Sequence, residues 1–233
     1  MGKRLYEIEN IDVFKKLSSL SSYWLGFIAA DGYISDKGNV VGIGLNKKDL
    51  QHLENFKSFL GSFHPIIYRK EVESTVIRIT SKIVKDDIRK WLPTKSLKGA
   101  EDSMIKIIPD DFKRYFIAGY FDGDGSVFSY NKIGKYKDKI YNPIEQYVVS
   151  IVGNYNTISD INEFLQKYYN FNKLTIVKND NVSRVAWTSK TDISEFFKLY
   201  ISSPLQLERK LIKYNYIIDK LQNKNGRNGK RRN

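Results

Sequence analysis

The chain contains no cysteine, which excludes disulfides, thiol nucleophiles and cysteine-ligated zinc, and fits a reducing compartment. Its two histidines, His52 and His64, are too few for a histidine-rich metal centre. Acid is also scarce: 26 Asp and Glu stand against 39 Lys and Arg, a formal charge of +13, with a pI near 9.6. Such a balance points to a polyanion partner, nucleic acid before anionic membrane. No basic amphipathic helix or lipidation signal favours a membrane. The opening Met-Gly-Lys-Arg-Leu-Tyr-Glu lacks the apolar core of an export signal, so the expectation is an intracellular protein, not a secreted one. Richness in Lys, Ile, Asn and Tyr fits an AT-rich coding genome, as in many phages, organelles and low-GC bacteria.

What is present is enough for a sizeable core: 233 residues, 41% hydrophobic, in one large domain or two small ones. The organising feature is a repeat. Tyr23-Trp24-Leu25-Gly26-Phe27-Ile28-Ala29-Ala30-Asp31-Gly32 is echoed by Phe116-Ile117-Ala118-Gly119-Tyr120-Phe121-Asp122-Gly123-Asp124-Gly125, with Asp31 and Asp124 93 residues apart. Each copy reads as the end of an apolar helix stopped by Gly, the residue that most cheaply adopts the conformation closing a helix. Small residues one turn apart, Gly26 with Ala30 and Gly119 with Gly123, leave a flat strip on which two helix backbones can approach. The apolar runs are far shorter than the roughly 20 residues of a membrane span, so this close packing belongs inside a soluble protein.

If the strips face each other, Asp31 and Asp124 meet. A carboxylate at a helix C-terminus opposes the macrodipole, and two carboxylates close together repel. Divalent cations held by carboxylate, backbone carbonyl and water oxygens offset that cost and place Lewis acids between the halves. A calcium loop starting at Asp122 is the rival reading. It fails where an EF-hand needs Gly at its sixth position and Glu at its twelfth, since this chain has Val127 and Ile133 there.

In these residues the chain resembles the double-motif LAGLIDADG homing endonucleases, with Trp24 to Gly32 and Ile117 to Gly125 as the two motifs. The resemblance implies that Asp31 and Asp124 bind the catalytic metals together with the backbone at Ala30 and Gly123. It implies Mg2+, with Mn2+ able to substitute and Ca2+ bound without supporting cleavage. The first acid of the motif is Asp122 in the second copy but Ala29 in the first, so that position is not a shared metal ligand.

Taken in order, residues 11–30 carry apolar positions at helical spacing. Tyr33-Ile34 and Val40 to Leu45 read as a hairpin. Asp49 caps a helix ended by Gly61. A second hairpin, Ile66 to Glu71 and Thr75 to Thr80, precedes a helix from about Ser81 to Trp91. The second half repeats this order at an offset of 108, which lays Thr188-Ser189-Lys190 on Thr80-Ser81-Lys82. The larger offset leaves about 15 additional residues within Ser129 to Tyr147, a longer, basic and aromatic hairpin. Residues 93–109 read as a linker between an N-terminal unit, 1–92, and a C-terminal unit, 110–222. Pro204 opens a last helix to about Leu221, and 223–233 reads as a disordered basic tail.

The expected fold is therefore α+β: two pseudo-twofold αββαββα units packed through the motif helices. Their antiparallel sheets would form a saddle over double-stranded DNA, each in a major groove. Candidate DNA contacts are Lys132, Lys135, Lys137 and Lys139 of the long hairpin, with Lys47, Lys48, Arg69, Lys70, Arg78, Lys178 and Arg184. The resemblance also implies one basic residue per half near the metals. Lys95 and Lys210 occupy equivalent places, with Lys82 and Lys190 as alternatives matched by the repeat. It assigns the strand ends at Asn46 to Asp49 and Asn154 to Thr157 to ordering active-site water, although N-capping accounts for Asp49 and Thr157 equally well.

The function implied is a metal-dependent, site-specific DNA endonuclease. It would act as a monomer on a long asymmetric site and leave short 3′ overhangs. An intron RNA maturase and a catalytically inactive DNA-binding regulator are the alternatives. The initial Met, the lack of Cys and the basic end at Lys230-Arg231-Arg232-Asn233 argue against an enzyme embedded in an intein.

Overall fold

The structure, a computed structural model, describes residues 6–93, 102–133, 135, 136, 139, 140, 142–179 and 182–228. Helix α1 (Ser19–Asp31) starts later than the apolar spacing predicts. Ser18 accepts from the Ser21 N–H while the Ser21 hydroxyl accepts from the Ser18 N–H, a reciprocal cap that ends the helical ladder there. Phe14 is nonetheless fully buried, delivered by a turn whose carbonyl accepts the Trp91 indole N–H at 2.8 Å. The apolar residues before Ser18 belong to the core without belonging to the helix.

From α1 the chain runs through β1 (Gly32–Ser35), β2 (Val40–Asn46), α2 (Leu50–Leu60), β3 (Ile66–Arg69), β4 (Ser74–Thr80) and α3 (Lys82–Trp91). The second half runs through α4 (Asp110–Asp124), β5 (Gly125–Lys132), the short β6 (Lys135–Tyr136) and β7 (Lys139–Ile140), and β8 (Ile144–Gly153). It continues with α5 (Tyr155–Tyr169), β9 (Val177–Asn179), β10 (Val182–Trp187), α6 (Lys190–Ile201) and α7 (Glu208–Asn228). Two antiparallel four-stranded sheets result, ordered β1-β2-β4-β3 and β5-β8-β10-β9, so equivalent strands hold equivalent places in both halves.

Register decides which side chains each sheet buries. Val41 and Ile43 lie opposite Ile79 and Ile77, and Val149 and Ile151 opposite Trp187 and Val185; all eight are buried. Helices α2, α3, α5 and α6 cover those faces with buried residues such as Phe56, Ile88, Ile161 and Phe196, building one continuous core. The opposite faces present Tyr33, Gly44 and Arg78 in the first sheet, and Ser126 and Phe128 in the second.

Helices α1 and α4 cross at the small residues. A Cβ on Gly26 would lie 1.9 Å from the Phe116 carbonyl oxygen, one on Gly119 1.9 Å from that of Tyr23, and one on Gly123 2.4 Å from the Cβ of Ala30. The glycines closing these helices act differently from the expectation. Gly32 (φ −85°) and Gly125 (φ −89°) are extended, not left-handed. They are needed because a Cβ would strike the preceding turn, 2.6 Å from the Ile28 carbonyl oxygen at Gly32 and 2.4 Å from that of Phe121 at Gly125.

Other departures are local. Pro204 lies ahead of the last helix, which starts at Glu208 and runs to Asn228, into the stretch expected as a tail. In the connecting stretch Met104, Ile105 and Ile108 are buried, and the Met104 N–H donates to the Thr157 hydroxyl. That end of the linker is part of the core. The longer second hairpin is present: β5 and β8 pair from Gly125 with Ile151 out to Lys132 with Ile144, beyond which β6 and β7 form a small ribbon.

Candidate active site and nucleic-acid interface

Asp31 and Asp124 are the last residues of α1 and α4, both half-buried. The helix crossing brings them to one place: a Cβ built on Gly123 would lie 3.5 Å from the Asp31 carboxyl carbon. Tyr120 sits below the pair, and its phenol is held well above the ordinary range by burial and then by the charges of Asp124 and Asp31. Two carboxylates at two helix C-termini thus share one polar centre.

Lys210 reaches the same centre from α7. It is 3% exposed, and its ammonium donates to the carbonyls of Phe121, Asp122 and Gly123 at 2.6, 2.7 and 3.2 Å, covering the C-terminal end of α4. Burial lowers its pKa to about 8, against the opposing charges of Asp122, Asp31 and Asp124, while Arg209 adds to the lowering. Lys95 lies outside the described residues. Lys82 and Lys190 are exposed first residues of α3 and α6, and Lys82 pairs with Asp86 at 2.8 Å.

Asp122 is fully buried and is where the sequence reading fell short. It accepts from the Tyr200 hydroxyl at 2.6 Å, the Tyr23 hydroxyl at 2.6 Å and the Leu207 N–H at 2.9 Å. Burial still pushes its carboxyl up to about 6, against those hydrogen bonds and the Lys210 charge. Tyr23 spends its proton on Asp122, so the His52 Nε2 at 3.0 Å must be the donor to the Tyr23 oxygen. Burial, then the charges of Lys210 and Arg209, lowers the pKa of His52 to about 4. The signal available in the sequence was an acid inside an apolar helix, which has to find donors.

Two capping assignments also change. Asp49 makes no cap to α2; its buried carboxylate takes the Arg209 Nε at 2.9 and 3.1 Å, tying α2 of the first half to α7 of the second. Asn154, not Thr157, caps α5, accepting from the Thr157 N–H at 2.8 Å.

A groove of about 780 Å³ runs from Asp31 over the outer face of the first sheet, past Tyr33, Asn46, Arg69 and Arg78. The Tyr33 ring lies flat across the strand over Gly42, where a Cβ would be 2.2 Å from it. Lys48, Arg69, Lys70 and Arg78 are exposed, and Lys47 pairs with Glu73 on the same rim. On the second sheet Arg184 lies over the Phe128 ring at 5.7 Å and Lys178 over the Tyr155 ring at 3.8 Å, so both are already held by aromatic faces. Lys132 is exposed at the end of β5. Lys135 and Lys139 fall in β6 and β7, where only the backbone is described, and Lys137 lies outside the described residues.

This architecture matches solved structures over most of its length. I-SmaMI bound to cleaved DNA shares 17% identity at a TM-score of 0.62, covering 90% of this chain and 91% of that one. I-AabMI bound to uncleaved DNA shares 13% at 0.63, over 89% and 92%. I-CpaMI bound to uncleaved DNA shares 20% at 0.61, over 90% and 94%. The chain has the fold of the LAGLIDADG homing endonucleases in its double-motif form, as the two motifs led one to expect. No family model matches the chain. Among curated proteins, 132 residues, 55% of the chain, are 32% identical to a transcription initiation factor IIB from Methanocaldococcus jannaschii. The match takes up 18% of that protein, so the chain spans less than a fifth of its length.

Proposed function

We propose that the chain is a site-specific DNA endonuclease that hydrolyses phosphodiester bonds at the Asp31 and Asp124 pair. The observation that carries this reading is the meeting of two helix-terminal carboxylates at the head of a groove across an outer sheet face, in a chain of charge +13. The fold is that of I-SmaMI and I-AabMI, whose structures contain DNA, cleaved in one I-SmaMI case and accompanied by calcium ions in another.

The donors fit a hard divalent cation. Among the described residues no group of three His, Cys, Asp or Glu could hold a metal, so the site offers two carboxylates and the backbone carbonyls of Ala30 and Gly123, the latter shared with the Lys210 ammonium at 3.2 Å. Mg2+ suits such a sparse oxygen set, because it keeps several waters and takes its remaining ligands from substrate phosphates. Mn2+ would substitute, and Ca2+ would bind without supporting cleavage. Bound cations would supply charge neutralisation at the phosphate and at the leaving oxygen. The chain's own part is to hold the two acids together, set the Lys210 charge beside them, and seat the duplex on the sheets. Because the halves differ, in the long hairpin and in Ala29 against Asp122, the site read should be long and asymmetric, and one chain should suffice. Short 3′ overhangs are the expected product ends.

The test is a plasmid library with randomised inserts, incubated with Mg2+ or Mn2+, followed by sequencing of the cut ends and sedimentation of the protein on a selected site. A single asymmetric consensus bound by one chain is expected. Failure of the folded protein to cut any pool with either metal would sink the nuclease reading.

A further inference from the structure

We infer that Asp122 is a positioning residue for cleavage: through the Leu207 N–H its buried carboxylate fixes the first turn of α7, and so holds the Lys210 ammonium against the end of α4 beside Asp124. The inference rests on the endonuclease reading for its catalytic consequence, and on the geometry alone for its structural one.

Asp122 takes three donors from three elements. Tyr23 of α1 and Tyr200 of α6 would ease its burial on their own account. The third donor leads elsewhere. Leu207 gives its N–H to Asp122, and its carbonyl accepts the backbone N–H groups of Lys210 at 2.9 Å and Leu211 at 3.0 Å. The residue held by the acid is therefore the one that starts the helical ladder carrying Lys210. Asp49 fixes the same turn from the other half by way of Arg209.

The Lys210 ammonium donates to three main-chain carbonyls at the end of α4. Those bonds can form only if the first turn of α7 is set at the right place, which is the turn that Leu207 opens. Position 29, which the motif repeat places opposite 122, is Ala29, and among the described residues α7 has no counterpart in the first half. The device stands on one side of the pseudo-twofold axis, so its loss should slow one DNA strand more than the other.

The experiment compares Asp122→Ala with the double variant Tyr23→Phe and Tyr200→Phe, which strips the acid of two donors but leaves the Leu207 bond. Hydrogen exchange on the free protein comes first. Asp122→Ala should speed exchange of the Lys210 and Leu211 amides by about tenfold or more relative to α1 and α4, the double variant should not. Single-turnover cutting of a supercoiled plasmid carrying a selected site follows. Asp122→Ala should accumulate nicked circles, with one strand cut roughly 10²-fold slower and Ca2+-supported site binding retained, while the double variant should cut both strands alike. Should Asp122→Ala not fold, Leu207→Pro removes the N–H together with the buried Leu207 side chain but leaves Tyr23 and Tyr200 on Asp122, and should give the same strand bias. Exchange raised evenly over the molecule, both strands slowed together, or no change would overturn the assignment of Asp122. A wild-type protein that cuts no DNA would instead remove the nuclease reading, and the exchange comparison would still decide whether Asp122 places α7.

Discussion

The hydroxyl of Tyr23 in the first motif helix donates to the carboxylate of Asp122 in the second at 2.6 Å, with both residues buried. The acid that breaks the likeness between the two motifs is thus satisfied by the opposite helix. Tyr23→Phe would leave Asp122 short of one donor and the His52 N–H without its acceptor. A loss of about 1.5–3 kcal/mol is expected, the range for hydrogen bonds to charged groups. Urea unfolding of the pure protein measures it, and an unchanged midpoint would mean that the bond contributes nothing net.

The helix crossing should tolerate no side chain. Gly119→Ala puts a methyl 1.9 Å from the Tyr23 carbonyl oxygen, and two helix backbones would have to separate to admit it. The expected cost is about 3 kcal/mol or more, at the upper end for overpacking. Gly44→Ala is the control, since its nearest neighbours stand 3.9 Å away on the outer sheet face; its thermal midpoint should equal or exceed that of the wild type.

Asp31→Asn and Asp124→Asn should each abolish double-strand cutting while leaving site binding nearly unchanged. They remove charge at the helix-end centre and not on the sheets. Gel-shift titration in Ca2+ beside a cleavage assay in Mg2+ separates the two effects, and a variant cutting at the wild-type rate would remove that residue from the site.

Acid stability should depend on His52 in a defined window. Its pKa is about 4 in the fold and 6.5 unfolded. As pH falls from about 6.5 to 4 the unfolded chain takes up a proton that the folded one does not, and stability is lost. Asp122, raised to about 6, works in the opposite direction, because its contribution is greatest at low pH and is lost as pH rises through 6. The two therefore offset each other in the wild type. In His52→Gln only the Asp122 effect remains, so the stability difference, wild type minus variant, should grow by about 3 kcal/mol between pH 4 and pH 6.5. Parallel denaturation curves across that range would show that His52 is not held neutral.

The sequence by itself determined whatever depends on local period and on the repeat. The two acid-ended helices, the hairpins, and the Ser81 and Ser189 starts of α3 and α6 all follow from spacing and capping chemistry acting over a few residues. The small residues at 26, 30, 119 and 123 also announced that the helices would touch, because only absent side chains allow backbones that close.

Tertiary structure decided the rest. The spacing from Val13 to Leu17 looks helical, but Ser18 starts the helix later, since a side chain that satisfies the first free N–H groups outweighs apolar period. Asp49 looks like a cap until Arg209, 160 residues away, claims its carboxylate. The duty of Asp122 was hidden for the same reason: Tyr23, Tyr200 and Leu207 are scattered along the chain, and only the packing of α1, α4, α6 and α7 brings their donors to one buried oxygen pair. Local sequence can demand that a buried charge be satisfied, but which distant groups satisfy it is fixed by the fold.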